Sequence, residues 1–187
     1  MDLSTAINAA QTAALAEIKK YDAPNPIQFE IANAQGQKLA EQLKIDKHVV
    51  MLGTTLMDFK IGQALSENRL KDHIEMSKDA AADLLKPFKL PSEITDKVVN
   101  CILGHHKTHS WAFPEAEVCA NADCYRFLTP RGLISFLIQI GKREMSVDES
   151  IAYARSKVEE KWNILSLDRC RKELEPNYKF LKQLLTS

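Results

Sequence analysis

Apolar positions recur every three or four residues along the whole chain, and no stretch alternates with the two-residue period of a strand. Ile7, Ala10, Ala14, Leu15 and Ile18 form the first stripe and predict a helix over 4–21, with Ser4 as its candidate cap. Asp22-Ala-Pro-Asn-Pro26 breaks it. Asn25 is placed to cap the next helix, and Pro26 suits a first position, where no amide hydrogen is needed. That helix runs to about Leu43, turning Ile27, Ile31, Ala34 and Leu39 inward. A third helix, from about Lys47 to Phe59, is apolar on nearly every side, which predicts the central, buried one. Thr54 and Thr55 are its polar interior. Residues 61–71 read as a connection with room for one short helix. Asp72 is the expected cap of a helix over His73 to Leu85, which Pro87 ends. Pro91-Ser92 starts another, to about His106, with Ser92 and Thr95 as cap candidates. After a loop over 107–113, Pro114 opens a helix to about Phe127. Thr129-Pro130 repeats the cap-then-proline device for a helix to Ile140. Ser146 and Glu149 form a capping box for a helix to about Ile164, and a last helix spans about Leu167 to Leu185, kinked or interrupted at Pro176. The expectation is an all-α single domain over 1–187, a bundle of about eight or nine helices. Its core lies at about 26–128, with helix 4–21 and the helices of 129–185 packed on it.

Composition adjusts this picture little. A chain of 187 residues buries roughly 70% of its unfolded surface and needs no staple to fold. The formal net charge is zero and the charges are mixed, so the basic stripe of a nucleic-acid-binding protein is missing. The cysteines, Cys101, Cys119, Cys124 and Cys170, show no CxxC spacing. They read as reduced core or near-core thiols of a cytoplasmic protein. The N-terminus has no basic region followed by an apolar run, and no apolar run approaches the roughly 20 residues a membrane helix needs.

The chemistry concentrates between Met57 and Asp123, where four of the five histidines lie (His73, His105, His106, His109). Asp58 falls at the end of the apolar third helix, and Asp123 falls inside the small, apolar run Val118-Cys-Ala-Asn-Ala-Asp-Cys124. A buried carboxylate is costly unless paired or bound to a cation. His73 starts a helix and His105-His106 end one, positions from which a side chain reaches a shared centre without displacing backbone hydrogen bonds. Two aspartates with two or three histidines make an N/O donor set suited to Mn, Fe, Zn or Mg rather than a thiolate-selected metal. A hydrated dication at such a site lowers the pKa of its water and neutralises phosphoryl charge. Bland alternatives stand beside this: a lone His73 capping its own helix, Asp123 salt-bridged to Arg126 or Arg131, Lys60 solvated, Trp111 and Phe113 packed on the core rather than lining a pocket.

The order Asp58, His73, His105/His106, Asp123 resembles the HD superfamily of metal-dependent phosphohydrolases. Leu56-Met-Asp-Phe-Lys-Ile-Gly62 is similar to that family's Leu-His-Asp-Ile-Gly segment, and Asp72-His-Ile-Glu75 to its Asp-His-Val-Glu helix. Val98 to His106 resembles the helix that ends on a His pair. Glu117 to Leu128 resembles the closing Asp-Ala-Asp-Arg-Leu segment. The likeness covers about residues 26–185. It implies an HD-like helical bundle and a divalent metal ion (Mn, Fe, Zn, Ni or Mg) on Asp58, His73, His105 and Asp123. It also implies hydrolysis of a nucleotide or other small phosphorylated molecule, with Asp58, Lys60 and His106 as catalytic residues and Lys60 or His106 steadying the phosphate. Two positions depart from the pattern: the paired His-Asp reads Met57-Asp58, and the family's first His falls near Gln28-Phe29. The first metal position of the family would keep only Asp58 and Asp123. The set used for a second metal in some members (Asp58, His73, His105 or His106) survives, which implies a shifted mononuclear site. The alternative implied by the same departures is a catalytically degenerate HD-fold ligand-binding or regulatory protein.

Overall fold

The computed structural model describes residues 3–186, all-α throughout that span. The helices are α1 (Leu3–Tyr21), α2 (Pro26–Leu43), α3 (Lys47–Leu56), α4 (Ile61–Ser66), α5 (His73–Leu85), α6 (Ser92–Gly104), α7 (Pro114–Leu128), α8 (Pro130–Ile140), α9 (Val147–Ile164) and α10 (Asp168–Leu184). Short 3-10 turns at Leu70–Asp72 and Lys86–Phe88 flank α5. Six-residue α4 is the short helix allowed for in the 61–71 connection.

Local chemistry sets most boundaries. Asn25 accepts from the Ile27 amide ahead of Pro26, Thr129 accepts from the Gly132 amide, and Ser146 with Glu149 completes a reciprocal capping box. Asp72 does not cap α5: its carboxylate pairs with Arg69 at 3.1 Å, and the 3-10 turn leads straight into the helix instead. Ser92 and Thr95 do not cap α6 either; Pro91 holds the N-cap position, and the Thr95 hydroxyl donates to the Ser92 carbonyl. Helix α10 continues through Pro176, because Leu174 and Leu181 on either side are buried and hold both halves against the body.

The central helix is α7, not α3. In α7 only Pro114 and Glu117 escape burial, and it packs against α2, α3, α6, α8, α9 and α10. Its small residues Ala116, Ala120 and Ala122 let neighbours approach, so burial here follows residue size as much as hydropathy. Helix α3 is the second buried element and ends at Leu56, leaving Asp58 in the turn that follows. Gly53 fixes how deep α3 sits: a Cβ there would lie 2.6 Å from both Cys101 Cβ on α6 and Cys119 Sγ on α7. The polar pair inside α3 is satisfied, since Thr54 and Thr55 hydroxyls donate to Asn33 Oδ1 on α2 at 2.7 and 3.3 Å. Asn121 of α7 pins the α9–α10 turn by accepting from the Ser166 and Leu167 amides and donating to Ser166 Oγ. Together these contacts set the ends of α3, α6 and α9 around the middle of α7. The free cysteines are all buried. Among the described residues no helix is long and apolar enough to cross a membrane.

Candidate metal centre

Three histidines and one aspartate meet where those elements converge. Asp58 comes from the turn after α3, His73 from the first position of α5, and His105 and His106 from the end of α6. One ligand atom from each lies within 4.8 Å of all the others. His73 Nε2 and His105 Nε2 are each 3.5 Å from Asp58 Oδ1. The rings cluster edge to face, with centroids 4.3 Å apart for His105–His106 and 5.4 Å for His73–His106.

The protonation of the rings follows from their outer partners. His73 Nδ1 lies 2.6 Å from the Leu70 carbonyl, and His105 Nδ1 lies 2.6 Å from the Ile102 carbonyl. A carbonyl only accepts, so each Nδ1 carries the hydrogen and, in the neutral ring, each lone pair sits on Nε2. His106 Nδ1 lies between Glu160 Oε1 at 2.8 Å, which takes a hydrogen, and Lys161 Nζ at 3.3 Å, which gives one; the shorter contact places the hydrogen on Nδ1. Asp58 Oδ1, His73 Nε2 and His105 Nε2 are buried and have no hydrogen-bond partner. Three acceptors facing one point without a donor are unfavourable unless a cation joins them. Donors on one ion, at bond lengths of about 2.1 Å, lie roughly 3–3.5 Å apart at ordinary coordination angles, matching the two 3.5 Å separations. The residues present therefore fit a divalent ion, with the carboxylate and carbonyl partners that orient ligating histidines already in place.

Asp123, expected among the ligands, is placed differently. Its Oδ1 is 2.7 Å from Arg126 Nη1 and its Oδ2 is 2.7 Å from Lys161 Nζ. The same Arg126 Nη1 lies 2.5 Å from Asp58 Oδ2, so one guanidinium nitrogen bridges the two carboxylates. The group able to hold a metal contains His106 in place of Asp123. Lys60, expected near the phosphate, turns away: its ammonium pairs with Glu17 at 3.1 Å, and it does not line the cavity beside the cluster. Trp111 packs on the core, donating from Nε1 to the Gly104 carbonyl at 2.8 Å, and His48 and His109 are exposed. At the positions where the resemblance expects histidines, Gln28 and Met57 are both buried.

Electrostatics follow from this network. Burial pushes the Asp58 carboxyl up, but the Arg126 guanidinium beside it outweighs burial and holds the group well below the usual carboxylate range. Asp123 is likewise raised by burial and lowered further by Lys161 and Arg126, to about 2. Burial lowers His73, and burial with neighbouring His105 and Lys161 lowers His106 to about 4. Lys161 is 1% exposed; desolvation opposes its charge, yet Asp123 and Glu160 raise its pKa above the ordinary lysine value.

A cavity of about 90 Å³ opens beside the cluster. Asp58, His73 and His106 line one wall, with Arg126, Arg143, Lys157 and Lys161 around it and Phe136, Tyr153 and Leu65 supplying apolar surface. Glu160 and Lys161 were not legible as site residues from motif order. One signal was present: Lys161 falls on the buried register of α9 with Ala154, Val158 and Ile164, and a lysine on a core stripe requires a buried counter-charge. No family model, curated protein or solved structure matches the chain. What the geometry establishes is an all-helical chain with a buried His/Asp cluster able to hold a metal ion.

Proposed function

We propose that the chain is a metal-dependent phosphohydrolase acting on a nucleotide or another small phosphorylated compound, the activity implied by its HD-like motif order. The observation that carries this reading is the convergence of Asp58 Oδ1, His73 Nε2 and His105 Nε2, buried and without donors, next to a cavity that Asp58, His73 and His106 line together with four basic side chains. A divalent ion held by Asp58, His73, His105 and His106 would supply Lewis acidity and neutralise phosphoryl charge. The protein's own groups do the rest. Arg126 fixes the Asp58 carboxylate, Glu160 holds the His106 ring, and Lys157 and Arg143 present positive charge where an anion enters. Charge balance favours a phosphate ester. Asp58, Asp123 and Glu160 are offset by Arg126, Lys157 and Lys161 through direct ion pairs. The double charge of a divalent ion, with Arg143 on the cavity lining, is then left to match a phosphate anion.

A second reading, a catalytically degenerate ligand-binding or regulatory protein, is favoured by Met57 at a ligand position and by the engagement of Asp123 with Arg126 and Lys161. Hydrolysis of para-nitrophenyl phosphate and a panel of mononucleotides with added Mn²⁺, with Asp58→Ala as control, separates the two. Metal-stimulated turnover that Asp58→Ala abolishes is expected. Turnover unchanged in that variant refutes the proposed mechanism, and metal binding without turnover favours the regulatory reading.

A further inference from the structure

We infer that Arg126 is a built-in cation that keeps this centre to a single metal ion, and that removing its guanidinium opens a second divalent-ion site between Asp58 and Asp123. The inference rests on the reading of Asp58, His73, His105 and His106 as a metal centre.

Arg126 Nη1 is 2.5 Å from Asp58 Oδ2 and 2.7 Å from Asp123 Oδ1. All three side chains are buried, at 3%, 8% and 1% exposure. Two carboxylates this close cannot both stay ionised without a cation between them. The arginine does not supply it in its own best geometry. A guanidinium normally meets a carboxylate with two parallel N–H groups, yet here a single nitrogen serves both acids while the buried Nε has no acceptor. The nitrogen thus acts as a point charge at the position a bridging ion would take.

The two oxygens of Asp58 divide accordingly. Oδ1 faces His73 Nε2 and His105 Nε2, and Oδ2 faces Arg126. A carboxylate shared between two adjacent cations is the arrangement of two-metal sites, and here one of the two cations is covalently part of the chain. Arginine cannot lose its charge in the accessible pH range, so that cation is neither exchanged nor removed by chelators. Without it, Asp58 Oδ2 and Asp123 Oδ1 present two hard oxygen donors, with the Gln28 amide on the same cavity wall.

The test is the number of Mn²⁺ ions bound per folded, metal-stripped chain, counted by equilibrium dialysis with elemental analysis and by the electron paramagnetic resonance signal. Wild type is expected to bind one ion with an isolated-ion spectrum. Arg126→Ala is expected to bind two with a spin-coupled spectrum, and Arg126→Lys, which keeps a cation, to bind one. Arg126→Gln keeps the side chain's bulk and is scored by the same count should the alanine variant not fold. One ion in wild type and still one in the folded alanine or glutamine variant overturns this inference and leaves the metal centre standing. Two ions in wild type also overturn it. No ion in wild type overturns the metal centre and the inference together.

Discussion

Replacing Asp123 by asparagine distinguishes a ligand from a counter-ion. Asp123 is 1% exposed and is paired at 2.7 Å with both Arg126 and Lys161, and Lys161 is itself 1% exposed. The amide keeps the shape and removes the charge, leaving Lys161 with Glu160 alone and Arg126 with Asp58 alone. Removing one partner of a buried ion pair costs about 3–5 kcal/mol, since the remaining charge stays buried. For a domain of this length each kcal/mol moves the midpoint by roughly 2–4 °C, so Asp123→Asn should melt roughly 6–20 °C lower in chelator. Lys161→Met should lose a similar amount, and the double variant should recover part of it, with a coupling of at least about 1 kcal/mol. Thermal melts followed by circular dichroism, with matched urea titrations, read these values. The same variants should keep Mn²⁺ affinity within about tenfold of wild type, whereas Asp58→Asn should lose roughly a hundredfold or more. A stability loss below about 1 kcal/mol for Asp123→Asn, or loss of metal on the scale of Asp58→Asn, would refute the assignment of Asp123 as a counter-ion.

Other consequences follow from the same geometry. In metal-free protein His106 titrates near 4 rather than its ordinary 6.5, so the folded state binds fewer protons than the unfolded. Its contribution is complete above about pH 6.5 and is lost as pH falls toward about 4, up to about 3 kcal/mol. His73, lowered in the same direction, adds to this, and urea unfolding at pH 7 and pH 4.5 should show the loss; equal stability at both would contradict it. Glu160→Gln removes the carboxylate that holds the His106 ring at 2.8 Å and should weaken metal affinity roughly 10–100-fold, read by competition with a chromogenic chelator; unaltered affinity would remove Glu160 from the centre. Gly53→Ala places a methyl 2.6 Å from Cys101 Cβ and Cys119 Sγ, and overpacking of this kind should cost about 1–3 kcal/mol. A neutral result in urea would mean that α3 has room to shift.

The helical architecture was legible wherever a local rule decided the outcome. Asn25-Pro26, Thr129-Pro130 and the Ser146/Glu149 box carry their own start signals, and those helices begin where the residues place them. Asp72 misled because a nearer partner, Arg69, took its carboxylate. Hydropathy alone favoured α3 as the centre, whereas helix approach is governed by side-chain size, and the small residues of α7 take the middle. At the site, motif order named Asp58, His73, His105 and Asp123 as ligands with His106 beside them, and the side chains that come together are Asp58, His73, His105 and His106. Asp123 converges on the same region but faces its own cations. The Asp123–Arg126 pair was foreseeable from a spacing of three on one helix. The 2.5 Å reach of Arg126 to Asp58 was not, because it depends on how closely α3 and α7 pack. Lys161 and Glu160 belong to a helix with no motif of its own, and only the core register of Lys161 marks it.

The central claim, that Asp58, His73, His105 and His106 hold a divalent ion, is tested most directly by diffraction from crystals grown with Mn²⁺, recorded above and below the manganese absorption edge. A single anomalous peak is expected within bonding distance of Asp58 Oδ1 and the three imidazoles, disappearing in His105→Ala. No peak at saturating Mn²⁺, or a peak on other residues that persists in His105→Ala, would contradict it.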